Sequence, residues 1–535
     1  MGEANDLEVD VVVVGAGFAG LYAHYRLRGA GFSVQGFEAG DGVGGTWYWN
    51  RYPGARCDVE SLEYSYSFDA DLQQEWEWTE RYAPQPEILR YLEHVADRFD
   101  LRRDIRFSTR VTAAWFDEAA HRWTVMTDDG ATTTARFVVM ATGCLSSANL
   151  PAIPGIDSFA GEVFHTGRWP HEGVDFTGKR VAVVGTGSSG IQAIPVIAEQ
   201  AAELVVFQRT ANYSVPARNR PLDPDEQRAV KEDYEGLRSR NLRMATGFGS
   251  RVKFPEKSAL EADEHERRRE YDERWDRGGF AFLAAFTDLA LDRAANETAA
   301  DYVRGRISEI VVDPDVAKRL TPTTVIGCKR LCLDSGYFET FNRPNVRLVD
   351  ISSTPIEAVT PTGLRVDGED HEVDCIVFAT GFDAMTGTLL RMDIRGRDGV
   401  TLNDAWHAGP ITYLGLGVPS FPNLFIVTGP GSPSVLTNMV VSIEQHVDWI
   451  TDCLEHLRRE GHERIEASQE SADEWVAYVN AVADLTLFPT CNSWYLGANV
   501  PGKPRVFMPL PGFPPYADLC ADVAVKGYRG FVLTS

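Results

Sequence analysis

The stretch DVVVVGAGFAGLYAHYRLRGAGFSVQGFEA, residues 10–39, sets the fold. Val11 to Val14 form a short β-branched run that reads as a buried strand, and Gly15, Gly17 and Gly20 follow in G-x-G-x-x-G spacing. A helical stretch opening at Phe18 and running to about Gly29 leads into a second strand that ends at Glu38. Each part has a physical task in holding a dinucleotide. The glycines allow a tight turn and a close backbone approach to a pyrophosphate, which then lies at the positive end of the helix. Glu38, 23 residues beyond Gly15, is placed to hydrogen-bond ribose hydroxyls.

The device occurs twice. In KRVAVVGTGSSGIQAIPVIAEQAAELVVFQRT, residues 179–210, Gly185, Gly187 and Gly190 repeat the spacing, with Thr186, Ser188, Ser189 and Gln192 around them. The strand after this loop ends in Gln208-Arg209-Thr210, where the first copy has Glu38. A carboxylate repels a 2′-phosphate and an arginine pairs with one, so the first site suits a free ribose diol and the second suits NADP. An apolar strand followed by Ala-Thr-Gly also recurs, in RFVVMATGCLS and DCIVFATGFDA, and marks where the chain leaves one nucleotide unit for the other.

These repeats predict an α/β fold with two Rossmann-like dinucleotide-binding domains. An FAD-binding domain of residues 1–145 and 379–535 is expected to be interrupted by an NADP-binding domain of residues 146–220 and 323–378. A helical insertion is expected over 221–322, where DEHERRREYDERWDR and NETAADYVRGRISEIV are charged and Ala299, Tyr302, Ile307 and Ile310 fall near helical spacing. Two such domains, one inside the other, form the architecture of flavin-dependent pyridine-nucleotide enzymes, which assigns FAD to the first site.

Composition narrows the function classes. At 535 residues the chain is too long for one core, and 44% hydrophobic with 24% charged residues fits a globular protein. A formal charge of −25 disfavours a nucleic-acid surface. The start MGEANDLEVD has no basic region or apolar core of a signal peptide, and Asp6 stands where myristoylation needs Ser or Thr. The apolar segment from Ile411 is broken by Pro419 and Pro422, so a strand and loop is expected there rather than a membrane span. The eight cysteines show no C-x-x-C pair and no zinc spacing. They are expected to be reduced thiols of a cytoplasmic protein without a metal site. A disulfide reductase is disfavoured, because only Cys57 follows closely after the first loop.

Between the two glycine loops lies FAGEVFHTGRWP, residues 159–170. On residue chemistry alone it is equally a linker with one buried Trp and a His satisfied by backbone. Its pattern F-x-G-x-x-x-H-x-x-x-W-P, flanked by two G-x-G-x-x-G loops, resembles the fingerprint of Baeyer-Villiger monooxygenases. The resemblance extends over nearly the whole chain, including GGTWYWNRYPGARCDVES, GTGSSGIQ, ATGFD and SWYLGANVPGKPRVFM. It is nearest to the phenylacetone, steroid and cyclohexanone branch. It implies an NADPH-dependent flavoprotein that converts a ketone and O2 into an ester or lactone through a C4a-peroxyflavin, with a bulky cyclic, aryl or steroid-like ketone as substrate. Two other classes stay open: a flavin monooxygenase that oxidises N or S, and a flavin-binding protein without turnover.

The resemblance also assigns residues. Arg330, in IGCKRLCLDSGYF, is the charge-stabilising group, and Asp58 orients it. Gly45, Thr46, Trp47, Tyr64, Val111 and Met508 join Gly15, Gly17, Phe18, Gly20 and Glu38 around FAD. Lys329 joins Arg209 and Thr210 on the 2′-phosphate of NADP, and Trp494 bonds the nicotinamide ribose. Ser434, Val435, Leu436 and Met439 line the ketone pocket, whose rim near the proline-rich PLPGFPPYADLC departs from the relatives. His165 is expected to be a hinge or packing residue rather than a chemical one.

Overall fold

The computed structural model describes residues 7–535. Met1–Asp6, part of the segment behind the expectations of no leader peptide and no lipid anchor, lies outside the described residues. Strand β1 (Leu7–Val14) is fully buried from Val11 onward, as its valine run requires. Helix α1 (Phe18–Gly29) leaves the glycine loop, and β2 (Val34–Phe37) returns parallel to β1 with Val11 opposite Val34. On the other side of β1 lies β3 (Thr132–Met140), the strand that runs into the first Ala-Thr-Gly.

The second copy repeats this arrangement. Strand β4 (Arg180–Val184), helix α2 (Ser188–Gln200) and β5 (Glu203–Gln208) follow one another, and β6 (Cys375–Phe378), leading into the second Ala-Thr-Gly, pairs with the free side of β4. The loop hydrogen bonds correspond as well. Gly15 N donates to Phe37 O at 2.8 Å and Ala141 N to Val14 O at 2.9 Å; Gly185 N donates to Phe207 O at 3.0 Å and Ala379 N to Val184 O at 2.8 Å. The third glycine of each loop has the same steric origin: a Cβ on Gly20 would lie 1.8 Å from Gly15 O, and one on Gly190 would lie 2.3 Å from Gly185 O.

The first copy sits in a nine-stranded sheet, which later accepts Phe421–Ile426 parallel to the end of β3. The second sits in a five-stranded, all-parallel sheet completed by Glu162–His165 and Val346–Asp350. The chain therefore leaves the first sheet after Met140, builds the second, and rejoins the first at Asp393–Arg395. Apolar residues cover both faces of each sheet. The segment from Ile411 forms the strands Gly417–Val418 and Phe421–Ile426, and no helix among the described residues is long and apolar enough to cross a membrane.

Helices Pro224–Glu232, Glu264–Arg277, Arg293–Ile310 and Pro314–Leu320 lie between the strands of the second sheet, each capped by an aspartate, Asp223, Asp263, Asp292 or Asp313, that accepts a backbone N–H. Ala299, Tyr302 and Ile307 are buried, as their spacing predicts, and Ile310 packs beside them. The proline-rich tail becomes the helix Phe513–Val525, whose prolines stand in the first turn where a missing N–H costs nothing.

The expectation that all eight cysteines are reduced is corrected. Cys328 and Cys491 form a disulfide across 163 residues, with their Cα atoms 6.1 Å apart, and the other six are free and buried. Local spacing carries no trace of a pair made only when the C-terminal loop folds back on the segment before Cys332–Asp334.

Candidate active site

The residues around the first loop converge from four segments. Buried Glu38 accepts from Ala16 N and Gly40 N, both at 2.8 Å; burial raises its carboxyl pKa and these two bonds oppose the rise. Gly45 backs onto Gly17, where a Cβ on Gly45 would lie 2.8 Å from Gly17 Cα, so Gly45, Thr46 and Trp47 overlie the loop. Trp47 Nε1 donates to Tyr64 Oη at 3.3 Å, and the Tyr64 ring stands edge-on to Phe18 at 5.3 Å. Val111 is buried just beyond Thr109, whose N donates to Glu38 O at 2.9 Å. Met508 accepts from Gly431 N at 2.6 Å and donates to Tyr495 O at 3.1 Å, which brings the C-terminal loop to the same place.

The second loop faces exposed Arg209 and Thr210 at the end of β5, and Thr186 Oγ1 donates to Thr210 O at 3.2 Å. Lys329 lies close enough to Arg209 for its charge to matter: burial first, and Arg209 second, lower the Lys329 pKa. A phosphate between the two cations would relieve both effects. Ser188 contacts Cys332 Sγ at 3.4 Å. Gln192 is engaged elsewhere, accepting from Tyr52 Oη at 2.8 Å and donating to Arg56 O at 3.2 Å. It thereby docks the loop that carries Asp58 onto α2.

Both loops fit a dinucleotide. The first N–H groups of α1 and α2 have no side-chain cap, because Gly17 and Gly187 occupy the cap positions that aspartates fill in the helices between Pro224 and Leu320. A Cβ on Gly187 would meet nothing within 4 Å. Uncapped donors are what an anionic pyrophosphate requires; those of α2 face open space, and those of α1 lie beside Gly45, whose Cα would be 3.2 Å from a Cβ on Gly17.

Between the loops, Arg330 and Asp58 meet across 272 residues. Arg330 Nε donates to Asp58 Oδ2 at 2.7 Å and Nη2 to Oδ1 at 2.8 Å, a bidentate fork, while Nη1 donates to Val435 O at 2.8 Å. The guanidinium also lies over the Phe280 ring, 5.2 Å from its centroid, and beside the Tyr495 hydroxyl. Burial works against the charge, but Asp58 outweighs it and raises the Arg330 pKa. The ion pair keeps 24% and 25% side-chain exposure, so Arg330 is held yet reachable. A guanidinium has five N–H donors; three are committed to Asp58 and Val435 and a fourth to Tyr495, which leaves one for a ligand oxygen.

Val435 presents its carbonyl from a turn in which Ser434, fully buried, adopts φ +42°, a costly conformation for a non-glycine residue. Leu436 and Met439 continue this wall, half-buried. Trp494 stands in a short turn against Tyr495, ring centroids 4.4 Å apart. His165 lies outside this cluster, at the end of Glu162–His165: Nδ1 accepts from Gly167 N at 3.0 Å, which leaves Nε2–H to face Thr380 Oγ1 at 3.4 Å. Phe280, Tyr495 and Tyr52 escape sequence reasoning, since each reaches the site through contacts between distant segments.

Residues 8–219 match the family described as flavin-binding monooxygenase-like. A Baeyer-Villiger monooxygenase of Pseudooceanicola batsensis is 44% identical over 98% of this chain and 96% of its own length. A phenazine N-monooxygenase of Lysobacter antibioticus is 42% identical over 98% of this chain and 97% of its own. The solved structure of an oxidised steroid monooxygenase bound to NADP is 55% identical, superposes with a TM-score of 0.93, and covers 98% of this chain and 99% of that one.

Proposed function

The chain belongs to the Baeyer-Villiger monooxygenases, FAD- and NADPH-dependent enzymes that convert ketones to esters or lactones, and we propose that its own ketone is bulky: cyclic, aryl or steroid-like. The observation that carries this reading is the joining of Arg330 to both Asp58 and the Val435 carbonyl. One cation is thereby fixed to the flavin side by a carboxylate and to an apolar pocket wall by a backbone oxygen. The 55% identity to a steroid monooxygenase supports a roomy pocket. Bound FAD would supply the activation of O2, with NADPH as the source of electrons.

The chain's own residues do the rest. Arg330, kept charged by Asp58, offers its remaining N–H donor to the negative charge that develops as oxygen adds to the ketone. Asp58 fixes the plane of that guanidinium. Arg209 and Lys329 hold the 2′-phosphate, Thr186 to Gly190 receive the pyrophosphate, and Trp494 bonds the nicotinamide ribose. Ser434, Val435, Leu436 and Met439 exclude water and orient the ketone. The reading places the enzyme in the cytoplasm, acting on a small-molecule ketone and O2 without nucleic acid or membrane.

The test incubates purified enzyme with NADPH, heavy-isotope O2 and a panel of cyclic, aryl and steroid ketones. An ester carrying one heavy oxygen is expected, with the larger ketones preferred; acceptance of small ketones alone would overturn the substrate assignment. The likeness to a phenazine N-monooxygenase supports a second reading, N-oxidation of planar heteroaromatics. Adding phenazines to the panel decides it: an N-oxide as main product would favour that reading.

A further inference from the structure

The disulfide has no part in this scheme, yet it lies within it. Cys328 is buried two residues before Arg330, and Cys491 is half-buried three residues before Trp494. The loop that carries Trp494 and Tyr495 is otherwise tied by non-covalent bonds, among them that of Met508 N to Tyr495 O at 3.1 Å. Leu487 N donates to Ala290 O at 2.8 Å, Asn499 Nδ2 to Phe382 O at 2.6 Å, and Lys503 pairs with Asp383 at 2.5 Å. Among the described residues, the disulfide alone holds the loop covalently to the segment of Arg330. The free thiols nearest the site, Cys57, Cys144 and Cys332, are buried, and burial raises their pKa, which makes them inert. Cys491 differs: it is partly accessible and adjoins exposed Asn492.

We propose that Cys328–Cys491 is a redox-sensitive latch that positions Tyr495 against Arg330 and Trp494 at the nicotinamide, so that the oxidised enzyme retains NADP and completes oxygen transfer better than the reduced enzyme. The proposal rests on the function given above. A thiolate of a dithiol reductant attacks Cys491 Sγ, the S–S bond breaks, and Cys328 leaves as a thiolate that takes up a proton. The second thiolate of the reductant then displaces Cys491, also protonated, and the reductant departs as a disulfide. Two electrons have passed to the enzyme, and a disulfide oxidant such as oxidised glutathione reverses the exchange.

The experiment uses holoenzyme oxidised with glutathione disulfide or reduced with dithiothreitol, each then desalted. Peptide mass mapping after alkylation reports the bond, equilibrium titration reports NADP+ affinity, and product analysis reports ester formed per NADPH consumed. Reduction is expected to weaken NADP+ binding at least about fivefold, the lower end of ordinary coupling between sites, and to lower the ester yield. Reoxidation is expected to restore both, and Cys491→Ser to behave as the reduced form and no longer respond to dithiol. Alkylation of both cysteines without reduction, or equal NADP+ affinity and yield in the two forms, would overturn the latch. Should the variant fail to fold, the reversible comparison on wild-type enzyme decides. Absence of ester from the oxidised form counts against the function, whereas unchanged NADP+ affinity counts against the latch.

Discussion

Replacing Arg330 by alanine removes the donor left for a ligand oxygen and strands the Asp58 carboxylate. FAD binding and NADPH oxidation should survive, while ester formation falls by about 10²–10³, the range for losing one charge-stabilising donor. Normal ester yield from Arg330→Ala would remove it from the chemistry. Arg209→Ala should raise the KM for NADPH by about tenfold to a hundredfold, the equivalent of a charge-assisted contact worth about 1.5–3 kcal/mol, with a smaller change in kcat. The KM for NADH should not move, and an equal effect on both nucleotides would displace the 2′-phosphate site. Glu63 raises a different matter. Burial lifts its carboxyl pKa from 4.5 to about 7, nearby Glu60 adds to the rise, and N–H donors from Gly249 and Asn241 oppose it. Because the folded pKa exceeds the unfolded one, the stability it contributes is complete below about pH 4.5 and is lost as pH rises through about 7. The shift corresponds to about 3 kcal/mol. Thermal melts should show wild type losing ground to Glu63→Gln between pH 5 and 8, and parallel curves would refute the assignment. Arg209, Lys329 and Arg330 are legible in the sequence because they stand in motifs. Glu63 and Phe280 are not, since their environment exists only after folding.

The pocket wall depends on one helix start. The helix Met439–Glu460 is capped by fully buried Asn438, whose Oδ1 accepts from Val440 N at 3.1 Å. The same side chain donates through Nδ2 to Glu63 O at 2.7 Å, and its backbone N donates to Thr246 O at 2.8 Å. One residue thus joins the wall at Ser434–Met439 to the FAD side and to the segment between the Asp-capped helices. Serine can cap a helix but cannot reach Glu63 O. Asn438→Ser should therefore keep the cap, lose about 0.5–1.5 kcal/mol with the bond to Glu63 O, and shift the KM for the ketone and the product ratio from an unsymmetrical ketone. Asn438→Ala should in addition lose about 1 kcal/mol of stability with the cap. If both variants lower stability equally and leave product ratios alone, the tie to Glu63 does not shape the pocket. At this scale the glycine loops and strands were readable, because a strand, a turn and a helix lie within thirty residues. The short turn at Phe280 meets Arg330 in another segment and the register of Asn438 answers to Glu63, 375 residues away, and no periodicity encodes them.

The stretch FAGEVFHTGRWP finds its use only in the whole molecule. His165 ends the edge strand of the second sheet, and its Nε2 faces Thr380 of the returning Ala-Thr-Gly. Thr380 Oγ1 in turn donates to Asn149 O at 2.5 Å, on the outgoing connection. One imidazole therefore bridges the two crossings between the sheets. Burial lowers its pKa, which keeps Nδ1 free to accept from Gly167 N at 3.0 Å. Asparagine separates these two contacts, because its Oδ1 stands where Nδ1 does and it has nothing at the position of Nε2. His165→Asn should keep the Gly167 turn and lose about 0.5–1.5 kcal/mol, one ordinary hydrogen bond. If the crossings transmit the nicotinamide state to the site of Arg330, flavin reduction by NADPH should change little in this variant while ester formed per NADPH falls and peroxide rises. His165→Ala, which breaks both contacts, should add a stability loss without much further uncoupling. Full coupling in His165→Asn would mean that the imidazole serves the turn alone, and that the sheets communicate instead through the loop of Asp58 docked on Gln192.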